Sequence, residues 1–130
     1  MRQHCDNAGI LADWLQTRAV VKNVYYPGLD SHPTHHLARE QMSGFGGVIS
    51  FQVHGGEAAA RRVAEATTTF LLSVSLGGIE SLISHPATMT HGSTRDTPQA
   101  PPADVVRLSV GIEDAEDLIA DLEQALAQVF

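Results

Sequence analysis

The stretch Ser75–His91, which reads SLGGIESLISHPATMTH, and the more distant Arg107 contain the residues best suited to chemistry. The stretch combines a glycine turn, the carboxylate of Glu80, two histidines and several hydroxyl groups within an otherwise apolar sequence. Such groups form polar contacts with a small anionic ligand. They do not make up an obvious catalytic apparatus, so we expect the segment to bind a ligand and assign no catalytic residue to this chain.

Arg107 is the most informative single residue. It lies in the middle of a strand-like run, VVRLSV, whose alternation places it on the face opposite Val106, Leu108 and Val110. A charge in such a setting is costly unless it meets an anion. A guanidinium fork suits a carboxylate or a phosphate held by two hydrogen bonds. The alternative is a structural ion pair with Glu80 or with a helix acid, and the spacing does not decide between the two.

Two enzymatic interpretations of the same stretch are weaker. Ser75 with His85 or His91 would supply a nucleophile and a base, but a triad also needs an orienting acid and an oxyanion hole, and no G-x-S-x-G elbow is present. Glu80 would serve as a general base, but recognition of an amine or balance of the Arg107 charge explains it better.

No metal site is predicted. The trio His32, His35 and His36 has poor spacing for zinc and lacks a cysteine or a nearby carboxylate pair. The acidic cluster at 113–117 opens a helix, where the helix dipole favours negative charge. Cys5 is the single cysteine, which excludes an intrachain disulfide and fits a reducing cytoplasm.

Composition limits the partners. The chain has 130 residues, the size of one ordinary domain, with 43% apolar and 18% charged residues. Its net charge is −7, which argues against nucleic acid or an anionic membrane as the main partner. No apolar run approaches the ~18 residues that suggest a transmembrane helix.

The periodicity of the apolar residues predicts an α+β fold, with a small mixed, largely antiparallel sheet and helices packed on one face. A proline-rich loop is predicted at 93–104. The predicted helices are 2–17, 33–42, 56–66 and 114–128, and the predicted strands are 20–26, 48–53, 67–73, 80–84 and 105–110.

Two long motifs carry a family resemblance. SLGGIESLISHPATMTH followed by VVRLSVGIEDAEDLIADLEQAL closely resembles the C-terminal domain of the pyridoxal-phosphate-dependent transsulfuration enzymes, the Cys/Met metabolism family. The upstream VYYPGLDSHPTHHLAREQMSGFGGVISF resembles the same family, so the resemblance covers essentially the whole chain. Within the family, SLGG followed by Glu-Ser-Leu resembles the cystathionine γ-synthase and cystathionine γ-lyase branch.

The resemblance implies a role for four residues. The fold would be the small C-terminal, substrate-binding domain of a fold-type-I enzyme. Arg107 would grip the substrate α-carboxylate, and Ser75 with the adjoining backbone of Leu76 would touch that carboxylate or the cofactor lysine. Glu80 would select the distal part of the substrate.

The cofactor implied by the resemblance is pyridoxal phosphate, held as a Schiff base and used as an electron sink. In the family the lysine, the phosphate cup and the stacking aromatic belong to the large domain, and Lys22 does not match the context of that lysine. We therefore expect residues 1–130 to form a single domain without the cofactor-binding domain. It would resemble roughly the last third of a longer enzyme, be inactive alone and bind pyridoxal phosphate weakly if at all.

The expected function follows from these correspondences. The parent enzyme would catalyse γ-replacement or γ-elimination on an activated homoserine or on cystathionine, as a cytoplasmic homo-oligomer. Synthase and lyase both stay open. The alternative is a stand-alone, non-catalytic module derived from the family, which pairs with a full-length paralogue or with itself. Loop 94–104 departs from the family pattern ahead of Arg107.

Overall fold

Five helices and five strands follow one another in a computed structural model that describes residues 1–90 and 92–130. No helix in these two ranges is long and apolar enough to cross a membrane. The helices are α1 (Arg2–Gln16), α2 (His35–Gln41), α3 (Gly56–Ala66), α4 (Pro86–Met89) and α5 (Ala115–Val129), with a 3-10 turn at Gly92–Thr94. The strands are β1 (Val21–Tyr25), β2 (Val48–Val53), β3 (Leu71–Leu72), β4 (Leu82–Ser84) and β5 (Val105–Ser109).

The strands form one sheet in the order β1-β2-β5-β4-β3. All neighbours pair antiparallel except β3 and β4, which are parallel. The predicted α+β class and the small mixed, largely antiparallel sheet are therefore confirmed. Strand β5 lies at the centre of the sheet, which places Arg107 between β2 and β4.

Helices α1, α3 and α5 contribute to one apolar core with one face of the sheet, as predicted. The residues of β5 alternate accordingly, because Val106, Leu108 and Val110 are buried in that core and Arg107 lies on the other face. The fully buried core side chains include Leu11, Leu15, Ile49, Phe51, Val53, Val63, Ile83, Leu118 and Leu122.

The second face of the sheet is partly covered near β4 and β5. Leu82, Ser84 and Ser109 are buried although they point away from the main core. The backbone N–H of Gly77 donates to the hydroxyl of Ser109 at 2.8 Å, which brings the loop at 73–79 over this end of the sheet. Arg107 lies beside this loop and is partly exposed.

The predicted strand at 67–73 is wrong for most of its length, since only Leu71–Leu72 pair as β3. The carboxylate of Asp121 on α5 accepts hydrogen bonds from three successive backbone N–H groups in this segment, at 2.8–2.9 Å. A backbone wrapped around one carboxylate is not extended, so tertiary contact overrides the β-branched composition. The three donors are Thr68, Thr69 and Phe70.

Two further differences lie close to the candidate site. The predicted strand at 80–84 begins only at Leu82, because Ser81 turns towards Glu113. Helix α4 was not predicted. It begins at Pro86, a residue suited to the first helical turn.

Candidate functional site

Arg107 lies in the middle of β5, directly opposite Ser50 on β2 and Ser84 on β4. Its guanidinium Nη2 donates to the carbonyl oxygen of Val74 at 3.0 Å and approaches that of Ser75 at 3.5 Å. The side chain is partly exposed. The guanidinium thus reaches solvent between β5 and the loop at 73–79, a position called the opening below. Of its nitrogens, Nη2 alone has an acceptor among the described residues.

The ion pair that the sequence left open for Arg107 does not occur among the described residues. Glu80 is exposed and folds back over Gly78, where an added Cβ would come within 2.6 Å of its Oε1. Glu113 is engaged by Ser81. Among these residues Arg107 is therefore a cation without a carboxylate partner, which is the condition for binding an external anion.

Ser75 and Leu76 lie on the rim of this opening, and both are exposed. The left-handed backbone of Gly77, with φ of +81°, turns the chain sharply after them. The structure brings Ser75 to Arg107 through its backbone carbonyl. Its backbone N–H donates to the hydroxyl of Ser73 at 3.3 Å.

A network that the sequence analysis missed fixes the end of this loop. The carboxylate of Glu113 accepts from the backbone N–H of Ser81 at 2.7 Å and from its hydroxyl at 2.8 Å. The same hydroxyl accepts from the N–H of Gly111 at 2.8 Å. The sequence signal for Glu113 was its place in an acidic helix start, which says nothing about a partner distant along the chain.

Helix α1 holds the loop from the other side. The ring Nε2 of His4 lies 3.1 Å from the carbonyl oxygen of Gly78. The amide of Asn7 donates to the carbonyls of Gly111 at 3.1 Å and Glu113 at 2.7 Å. These contacts connect α1 both to the rim of the opening and to the turn after β5.

His85 does not act as a base for Ser75 in this structure. His85 is buried, and its two ring nitrogens lie 2.7 Å from the hydroxyl of Thr88 and 2.6 Å from the carbonyl of Ala103. This histidine anchors the loop that leads into β5. His91 lies outside the described residues.

The histidine trio is dispersed over separate partners. His35 lies between the carbonyl of Pro27 and the carboxylate of Asp30, and His36 faces Glu40 on α2. Across residues 1–90 and 92–130 no three side chains of the metal-binding types form a group. The predicted role of Arg107 in binding an anion thus concerns a part of the structure separate from these histidines.

Comparison with known proteins shows which family this sequence and fold resemble. Residues 1–127 match the family model described as Cys/Met metabolism PLP-dependent enzyme. The chain is 51% identical over 126 residues to cystathionine gamma-synthase of Mycobacterium tuberculosis, covering 97% of this chain and 32% of that protein. It is 48% identical over 129 residues to L-methionine gamma-lyase of Pseudomonas putida, again covering 97% of this chain and 32% of the relative.

The fold agrees with the sequence match. The crystal structure of metB from Corynebacterium glutamicum superposes with a TM-score of 0.97 at 51% identity, covering 100% of this chain and 34% of that one. The chain thus spans about a third of the length of the relatives it matches. From its sequence, its fold and the match over 1–127, this chain belongs to the Cys/Met metabolism family of PLP-dependent enzymes.

Proposed function

We propose that this chain supplies the substrate-carboxylate site of a pyridoxal-phosphate-dependent transsulfuration enzyme. The observation that carries the proposal is Arg107, an accessible guanidinium without a carboxylate partner among the described residues. In this proposal Arg107 binds the α-carboxylate of an amino acid through its planar fork. Ser75 and the backbone at Leu76 line the same opening, and Glu80 contributes to selection of the distal part of the substrate.

The reaction of the whole enzyme is proposed as γ-replacement or γ-elimination on an activated homoserine or on cystathionine. The relatives named cystathionine gamma-synthase and L-methionine gamma-lyase support this range of chemistry. Their identities to this chain are nearly equal, so the proposal includes both a synthase and a lyase.

The described residues of this chain do not fit covalent attachment of the cofactor. A Schiff base requires an unprotonated lysine amine, and Lys22 is the one lysine in the sequence. Its Nζ donates to Oδ2 of Asp104 at 2.8 Å, so this amine is already engaged in an ion pair. The proposed role of this chain is therefore limited to recognising the substrate.

We further propose that residues 1–130 act as the C-terminal substrate-binding domain of a longer, cytoplasmic homo-oligomer. The chain matches a third of its relatives' length, which supports the domain assignment. The lone Cys5, free in the structure, fits a reducing compartment.

A chimera tests the proposal. This chain replaces the matched third of the cystathionine gamma-synthase from Mycobacterium tuberculosis, and formation of cystathionine is followed at varied substrate concentration. We expect an active chimera. Arg107→Gln should raise KM or lower kcat/KM about 10- to 100-fold, because a hydrogen-bonded charge pair contributes roughly 1.5–3 kcal/mol.

Arg61→Gln is the matched control, since Arg61 is exposed on α3, which packs on the other face of the sheet. It should leave kcat/KM unchanged. An Arg107→Gln chimera with the kcat/KM of the unmodified chimera would refute the carboxylate site.

One observation favours the second candidate function, a stand-alone interaction module. The segment from β3 to the start of β4 exposes several large apolar side chains close together in sequence, and such a surface is typical of an interaction site. These side chains are Leu71, Leu72, Val74, Leu76 and Ile79, which are 50–67% exposed.

A further inference from the structure

Ser84 is the buried neighbour of the proposed carboxylate-binding arginine. It pairs directly with Arg107 across β4 and β5. Directly opposed residues of antiparallel strands point to the same face, with their Cβ atoms about 4.5–5.5 Å apart. The hydroxyl of Ser84 therefore lies beside the stem of the Arg107 side chain.

The hydroxyl oxygen of Ser84 is fully buried and has no hydrogen-bond partner among the described residues. Other buried serines of this region are satisfied, since Ser81 bonds to Glu113 and Gly111, and Ser109 accepts from Gly77. A buried hydroxyl without a partner costs free energy, so an exception of this kind calls for an explanation. The exception lies next to the residue on which ligand binding depends.

The present hydrogen bonds of Arg107 explain how Ser84 is left without a partner. Nη2 donates to the carbonyl of Val74. The segment that carries Val74 runs beside β4, because the N–H of Ser73 donates to the carbonyl of Ile83 at 3.0 Å. The guanidinium is thus drawn towards the loop and uses a backbone acceptor there.

Binding a carboxylate through two parallel hydrogen bonds engages a pair of guanidinium N–H groups and competes with the Val74 contact. We propose that Ser84 is a positioning residue for Arg107: its hydroxyl oxygen accepts an N–H from the guanidinium when Arg107 binds a substrate carboxylate. The inference rests on the proposed carboxylate site. Ser84 acts through Arg107, and its own burial keeps it from the substrate.

The test uses the 130-residue chain and L-alanine as the probe, with ethylamine, which lacks the carboxylate, as the comparison ligand. Two-dimensional ¹H–¹⁵N NMR titrations follow the Nε–H signal of Arg107, assigned by its loss in Arg107→Gln. We expect L-alanine alone to shift this signal. Ser84→Ala should weaken L-alanine binding about 3- to 10-fold, while Ser84→Thr, which keeps the hydroxyl, should bind nearly as the unmodified chain does.

Ser50→Ala is the matched control, because Ser50 is the neighbour of Arg107 on the opposite strand and is partly exposed. It should not change binding. Thermal unfolding separates a positioning role from a structural one: removal of an unpartnered hydroxyl should leave Tm equal or higher, whereas loss of a structural hydrogen bond would lower it.

Two results would overturn the inference and leave the carboxylate site intact. The first is unchanged L-alanine binding in Ser84→Ala. The second is a lowered Tm that accompanies the weaker binding, which would assign Ser84 a structural role. If L-alanine shifts no Arg107 signal in the unmodified chain, the proposed carboxylate site and this inference both fail.

Discussion

Asp121 and Arg107 are charged side chains on opposite sides of the sheet, and they differ in how fully the protein supplies their hydrogen-bond partners. Burial would raise the pKa of Asp121, but hydrogen bonds from the backbone of Phe70, Thr68 and Thr69 and from Gln124 outweigh burial and hold that pKa below its ordinary value. This carboxylate is fully satisfied and has a structural role. Arg107 makes one short contact, to a backbone carbonyl. Of these two charges, only Arg107 retains capacity for a ligand.

Tyr26 allows a prediction at alkaline pH. Burial, with further contributions from Cys5, Asp6 and Asp13, raises the pKa of Tyr26 to about 12. The unfolded value is about 10. Because the folded state disfavours the phenolate, the stabilisation is fully present below pH ~10 and is lost as the pH rises towards 12.

The measurement is urea unfolding of the unmodified chain and of Tyr26→Phe between pH 8 and pH 12. At pH 8, Tyr26→Phe should be less stable by about 1 kcal/mol, because the phenol donates to the carbonyl of Gly46. Between pH 10 and pH 12 the stability of Tyr26→Phe should fall less than that of the unmodified chain. Parallel losses in the two proteins would contradict the role given to Tyr26.

At the scale of elements, contacts from three other parts of the chain hold the loop at 73–79 and the two residues that follow it. Arg107 on β5 engages its first part, His4 on α1 reaches Gly78, and Glu113 before α5 fixes Ser81. Three elements distant in sequence thus hold one short loop. The position of Ser75 and Leu76 depends on all three.

A substitution at Gly111 tests whether these contacts hold the loop in place. An added Cβ would lie 2.2 Å from the carbonyl oxygen of Ile79, a backbone atom that the surrounding hydrogen bonds hold in place. Gly111→Ala should therefore cost roughly 1–3 kcal/mol of unfolding free energy, the usual cost of overpacking. Displacement of the loop should also shift the NMR signals of Ser75 and Leu76.

Gly9→Ala is the matched control within α1, since its Cβ would meet nothing within 4 Å. Alanine is the better helix former, so this variant should gain about 0.5–1 kcal/mol. Urea unfolding of both variants measures the contrast. Equal stabilities would show that the close approach at Gly111 imposes no constraint.

At the scale of the whole molecule, the apolar surface from Leu71 to Ile79 allows a prediction about association. This surface includes β3, an edge strand of only two residues. Burial of apolar area drives association at roughly 25 cal/mol per Å². We expect the 130-residue chain to self-associate with increasing concentration, and Leu72→Thr with Ile79→Thr to reduce that association at least about 10-fold.

Sedimentation velocity over a range of protein concentrations provides the measurement. Ile10→Thr with Leu37→Thr is the control, because these side chains are exposed to a similar degree on α1 and α2. A chain that stays monomeric at every concentration would contradict the prediction. Equal effects of the two double variants would show that association does not involve this surface.

The sequence by itself determined the fold class, the position of most helices and strands and the family. The alternation within 105–110 was sufficient to place Arg107 on the face away from the core, because that periodicity is local. The motif from SLGG to the last helix was sufficient to indicate the family, and the match over 1–127 confirmed it.

Tertiary structure decided the contacts that build the site. The strand predicted at 67–73 was wrong because Asp121, from a distant helix, captures its backbone. The pairing of Ser84 with Arg107 and the bond from Ser81 to Glu113 also join residues far apart in the chain. Such contacts depend on how segments distant in sequence pack against one another, which the local pattern of side chains does not encode.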